Sequence, residues 1–345
     1  MENNKDRNSK VIILSILAIF FTLSVGYIVN VFFLSPKSDS SNYKIALNNC
    51  SGSSSSKCIA TYATAIAEIE GTAKSLDLVK LLINSRRDLK NGCHSLTHDL
   101  GNAFYERFNE KAIVPGHAWC SYGYYHGLMQ SYGKDNLDSI VDYAKNLCKK
   151  VEGVLNDDCI HGIGHAAYTN LFSIDKSLLI CDKISEYDFA LTCSDGVIME
   201  EFMNSSNGLL SSGFEVNDCL NYDNKAVQAG CAKAMAQQNV NIGLSLEESC
   251  SIFSEDISNQ CTSGYGSSLA GNIASGSSFT ITDRQIKSCD NSDGCAQGFG
   301  WIAYMYFLDQ NKAIELCENY FKNKKYLTTC VSSAKLAKDN EDANN

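Results

Sequence analysis

All six histidines of the chain lie between His94 and His165: His94, His98, His117, His126, His161 and His165. His94 and His98 stand at i and i+4, so in a helix they share one face; His161 and His165 do the same. Neutral imidazole is a ligand for zinc, copper, iron or nickel. Two imidazoles from one helix, completed by side chains of a neighbour, can make a four-coordinate site. The spacing therefore points to a transition metal held by His94, His98, His126, His161 and His165, zinc or copper before iron, with Asp195 or Glu200 at its edge. There is no His-Glu-x-x-His, no Cys-x-x-Cys-His and no Glu-x-x-His beside these residues, so the zinc-protease, covalent-haem and di-iron patterns are absent. The competing reading makes the histidines hydrogen-bonded packing between helices. A third makes one of them a general base beside Asp99, Asp195 or Glu200, but no serine or cysteine stands in a nucleophile motif. His117, in a loop after Pro115, is the residue expected to stand apart.

Sixteen cysteines set the elements that must carry these side chains, and all follow an apolar stretch from Val11 to Leu34. That stretch is long enough to cross a bilayer as a helix. Lys5, Arg7 and Lys10 precede it, which places the N-terminus in the cytoplasm. The stretch is longer than the core of a cleaved signal peptide, the rival reading, and ends in Val31, Phe32, Phe33 and Leu34 rather than small residues. Either way the cysteine-bearing part is exported, and an even cysteine count there signals a disulfide framework in an oxidising compartment, at the cell surface or in the periplasm. The organisation expected is a cytoplasmic tail over 1–10, a signal anchor over 11–34, a linker over 35–43, an ectodomain over 44–338 and a frayed polar tail over 339–345. The net charge of -10 argues against nucleic acid as a partner.

The cysteines also carry a repeat. Cys148/Cys159, Cys181/Cys193, Cys219/Cys231, Cys250/Cys261, Cys289/Cys295 and Cys317/Cys330 form pairs, and Cys50/Cys58 fits the same scheme. The second member recurs every 30 to 39 residues from Cys120 onward, usually as Cys-x-x-Gly. That period is the mark of stacked helical hairpins. Each unit reads as a helix A ending near the first cysteine, a turn, and a helix B beginning at the second, so bridges within each pair are geometrically feasible. Leu137–Lys150 reads as one helix A and Leu76–Leu89 as another; the latter lacks a cysteine, which leaves Cys93 to pair with Cys120. Glycine inside a helix costs about 1 kcal/mol against alanine, so its recurrence implies close approach of neighbouring helices. Aligned on the second cysteine, Tyr122/His126, His161/His165 and Asp195/Met199 occupy equivalent offsets and would form a row across stacked helices.

This layout resembles tetratricopeptide-like, disulfide-stapled helical repeat proteins, by period and cysteine placement over most of residues 44–338 and not by the tetratricopeptide consensus. The expected fold is all-α, an N-terminal transmembrane helix followed by a disulfide-rich α-solenoid of about seven or eight hairpins; the resemblance implies a superhelical scaffold with a concave face. The expected function is a membrane-tethered extracytoplasmic interaction scaffold that binds a protein or peptide. The alternative is a metal-dependent hydrolase or oxidoreductase built on the histidine cluster. Asn49-Cys-Ser51 and Asn204-Ser-Ser206 fit the N-glycosylation pattern, and Asp290-Asn-Ser-Asp-Gly294 reads as a tight turn rather than a calcium loop.

Overall fold

The computed structural model describes residues 41–344 apart from 51–54, 91, 116, 118, 121, 153–156, 205–212, 277–279 and 308. The expected anchor over 11–34 lies outside the described residues. Among the described residues no helix is long and apolar enough to cross a membrane, and there is no strand.

The helices are α1 (Ser41–Asn48), α2 (Ser55–Glu70), α3 (Thr72–Ser85), α4 (Arg87–Lys90), α5 (Cys93–Phe108), α6 (Gly123–Asn136), α7 (Ile140–Glu152), α8 (Asp157–Leu171) and α9 (Ile174–Cys181). They continue as α10 (Tyr187–Asn204), α11 (Lys225–Asn241), α12 (Leu246–Cys250), α13 (Glu255–Ser275), α14 (Asp283–Cys289), α15 (Asp293–Phe307), α16 (Gln310–Tyr320) and α17 (Lys324–Asn344). Long and short helices alternate because the turns carry capping chemistry. The side chains of Ser173, Asn224, Ser245, Thr282 and Asp309 each accept a hydrogen bond from a first-turn N–H of α9, α11, α12, α14 and α16. The expected helix over Leu76–Leu89 is divided at Arg86, whose guanidinium donates to the Cys50 carbonyl and pairs with Asp88. Helix α17 runs to Asn344, into the polar tail.

Helices α2, α5, α6, α8, α10, α11, α13, α15 and α17 form a row in which each packs on the next, and the short helices pack on their own long partners. Ile59, Leu100, Leu128, Ile163, Val197 and Met235 are fully or almost fully buried along this row. The eight pairings expected from spacing are all formed: Cys50–Cys58, Cys93–Cys120, Cys148–Cys159, Cys181–Cys193, Cys219–Cys231, Cys250–Cys261, Cys289–Cys295 and Cys317–Cys330. Free cysteines are absent among the described residues; the eight disulfides point to an oxidising, extracytoplasmic environment.

The recurrent glycines sit where long helices touch backbone to backbone. A Cβ at Gly127 of α6 would collide with the His98 carbonyl of α5, and one at Gly164 of α8 with the Cys193 carbonyl of α10. These contacts bring the histidine-bearing helices closer than side-chain packing allows. Most staples close short loops; Cys93–Cys120 spans 27 residues. In the chain-entropy treatment a loop of that size contributes about 3.5 kcal/mol. Cys93→Ser/Cys120→Ser should therefore cost more in denaturant titration than Cys289→Ser/Cys295→Ser, whose separation is 6.

Candidate metal centre

Three neighbouring helices deliver the cluster: His94 and His98 from α5, His126 from α6, and His161 and His165 from α8. One ring nitrogen from each of His94, His98, His126 and His165 lies within 4.8 Å of all the others. The cluster can hold a metal ion. His98 Nε2 lies 3.1 Å from His94 Nε2 and 3.2 Å from His126 Nδ1. For metal–nitrogen bonds of about 2.0–2.1 Å, the edge of a tetrahedron is about 3.3–3.4 Å. These two separations are close to that edge, and the whole set of four stays within 4.8 Å.

The protonation pattern points the same way. His94 Nδ1 donates to the Cys120 carbonyl at 2.9 Å, which leaves Nε2 as a bare lone pair toward His98. Cys120 and Tyr122 hold left-handed backbone, φ 57° and 60°. Cys120 is tied through its disulfide to Cys93, next to His94. Non-glycine residues held in that region mark a backbone over-determined by its surroundings. His165 Nδ1 donates to Glu200 Oε2 at 2.6 Å, and its Nε2 is buried with no hydrogen-bond partner. His98 Nε2 faces two nitrogens at once, and its single proton cannot serve both well. A cation among these lone pairs removes each conflict.

Glu200 is itself fixed by Gln130 Nε2 at 3.2 Å, Asn204 Nδ2 at 3.0 Å and Thr169 Oγ1 at 3.2 Å. Burial pushes its carboxyl up, but the hydrogen bonds from His165, Asn204 and Thr169 prevail and hold it below the usual range. An ionised carboxylate behind a ligand histidine is the arrangement that orients the ring and raises its basicity.

The remaining expected residues take other places. His161 Nδ1 contacts the Thr192 carbonyl at 3.0 Å, and its ring stands 4.7 Å from His165, beside the four-nitrogen group and not in it. Asp195 Oδ2 pairs with Lys233 Nζ at 2.8 Å and lies 3.9 Å from His161 Nδ1, and its Oδ1 is buried without a hydrogen-bond partner. Glu200 reaches the cluster through its hydrogen bond with His165 and through Gln130, which also bonds His98. His117 stands apart, accepting from Trp119 Nε1 at 3.2 Å. The sequence reading does not single out Gln130, Thr169 or Asn204: Gln130 and Thr169 reach Glu200 from other helices, and Asn204 reaches it from one turn along the same helix. The row of equivalent offsets is the one signal that could have exposed Gln130. A groove of about 830 Å³ opens beside the cluster, with His94, His126 and His161 at one end.

Burial above all depresses His94 to about 4, and burial chiefly drives His98 and His161 well below the ordinary histidine value. The unfolded chain takes up these protons near pH 6.5, while the folded chain takes up that of His94 only near 4. Stability of the metal-free protein is thus fully retained above pH 6.5 and lost progressively as pH falls toward 4. Thermal melts across this window should show that loss, and His94→Gln/His98→Gln should flatten it.

No protein family, curated protein or solved structure matches the chain.

Proposed function

We propose that this protein is an extracytoplasmic metal-binding helical repeat protein whose centre is His94, His98, His126 and His165. The observation that carries the reading is the convergence of four ring nitrogens within 4.8 Å in a buried site. Its support is the second layer, in which the Cys120 carbonyl and Glu200 fix the tautomers of His94 and His165. An all-imidazole donor set suits zinc or copper ahead of harder cations. Bound there, the ion would staple α5, α6 and α8 as the disulfides staple each hairpin, and it would act as a Lewis acid toward any group that reaches it. Residues 11–34 would tether the protein to a membrane, with the repeats arranged as a solenoid outside the cytoplasm.

A metal-dependent enzyme is the second reading, a hydrolase or oxidoreductase. It is favoured by one observation: His94 and His126 line the groove, so a substrate lying there would approach the ion. Elemental analysis of the purified full-length chain, equilibrated separately with zinc and copper and then desalted, tests the metal reading. One equivalent of either is expected; retention of neither leaves the histidines as packing. Turnover of ester, peptide or redox dyes by the loaded protein, abolished in His94→Ala, would favour the enzyme.

A further inference from the structure

We infer that the groove beside the histidine cluster is a binding site for an extended polypeptide segment of low net charge, about ten residues long, read mainly through its main chain. This inference goes beyond the metal reading and does not depend on it.

The groove is built from the same helix positions that carry the histidines. His161 and His165 follow Cys159 by two and six residues. The same offsets give Asp195 and Met199 on α10, Lys233 and Gln237 on α11, Ser263 and Ser267 on α13, and Gln297 and Trp301 on α15. All of these except His165 line one continuous groove of about 830 Å³. From α8 to α15 the row takes four helix-to-helix steps, each about 8–10 Å. That is about 32–40 Å, the length of about ten to twelve residues of extended chain at about 3.3 Å each.

The lining matches a peptide backbone. Gln237, Asn241, Gln260, Asn272 and Gln297 place carboxamides on three successive helices. A carboxamide both donates and accepts, as a peptide group does, so it recognises main chain whatever the side chains. One helix step corresponds to about three extended residues. Two contacts tie these helices together: Asn272 Nδ2 donates to Asn241 Oδ1 at 2.8 Å, and Ser268 Oγ donates to the main-chain carbonyl of Gln237 at 3.1 Å. At the far end Trp301, Ile302 and Met305 form an apolar seat for one side chain. Among the described residues, the charged side chains lining the groove are Asp188, Asp195 and Lys233, and the last two pair with each other. The disulfides at each hairpin keep the helices from rearranging, which lowers the ordering cost of binding.

The test uses the full-length chain and a pool of fluorescein-labelled decapeptides randomised over uncharged residues. Because recognition is through the main chain, such a pool must contain ligands. The expected result is retention of peptides with micromolar dissociation constants, enriched for a large apolar residue toward one end. Trp301→Ala should remove that enrichment and weaken binding about tenfold or more. Gln237→Ala/Asn241→Ala should weaken all peptides alike, with metal content unchanged and only the modest loss of melting temperature that the Asn272–Asn241 hydrogen bond accounts for. Retention that is the same in these variants, or no retention by the wild type, overturns the proposal. So does capture of a maltohexaose or chitohexaose probe in place of peptides. Binding should persist after chelation, and the metal content of the same samples reports on the centre independently, so failure of one reading is distinguishable from failure of the other.

Discussion

His98→Ala/His165→Ala should reduce bound metal from about one equivalent to below a tenth. His98 Nε2 is the nitrogen on which His94 and His126 both converge. His165 contributes the buried lone pair that nothing else satisfies. Two of four ligands are then gone, and the rest cannot complete a coordination shell. The loss should also appear as lost stabilisation. At free metal a thousandfold above its dissociation constant, binding contributes about 4 kcal/mol. The double variant also leaves cavities, so the diagnostic quantity is the change in melting temperature on adding a chelator. A large drop is expected for wild type and for His117→Ala, whose ring stands apart, and no drop for the double variant. A wild type indifferent to chelator would contradict the prediction.

The second large effect concerns the glycines. At Gly127, the atoms a Cβ would strike are the His98 carbonyl oxygen, the Asn102 nitrogen and the Gly101 Cα, all backbone. None can rotate away, so α5 and α6 must separate. Overpacking of this kind costs about 1–3 kcal/mol and occasionally more. Gly127→Ala should lie at the upper end and Gly127→Val beyond it, with metal affinity falling in parallel because His98 and His126 move apart. Gly271 of α13 is the control: a Cβ there would meet only Ile302 Cγ2 at 3.8 Å. Gly271→Ala should be neutral or stabilising by up to about 1 kcal/mol, the helix-propensity gain. Urea titration of both variants, with metal assayed on the same samples, checks the contrast. Equal destabilisation at both positions would mean that close helix approach does not explain the glycines.

Much of the fold was legible because its information is local. Cys148 and Cys159 lie 11 residues apart, and a helix–turn–helix of that length leaves them little choice but each other. The Cys93–Cys120 bridge followed by elimination. Helix boundaries were less legible. Arg86 divides the helix expected over Leu76–Leu89 through a contact to Cys50, 36 residues away. Leu137–Ser139 forms a 3₁₀ turn ahead of α7 where one uninterrupted helix was expected. The site was legible at the level of faces. Spacing by four puts His94 with His98 and His161 with His165, but it fixes neither tautomer nor rotamer. Those are set by the Cys120 and Thr192 carbonyls, 26 and 31 residues away. The Thr192 contact holds His161 outside the four-nitrogen group, and Lys233 draws Asp195 toward the groove. The apolar span over 11–34 is a sequence expectation outside the described residues.

X-ray absorption at the metal edge on the purified, zinc- or copper-equilibrated protein tests the central claim most directly. The account predicts a first shell of three or four nitrogens at about 2.0–2.1 Å, with the outer-shell scattering of imidazole and no sulfur at about 2.3 Å. A shell of oxygen alone, a sulfur contribution, or an ion whose signal survives His98→Ala/His165→Ala unchanged would contradict it.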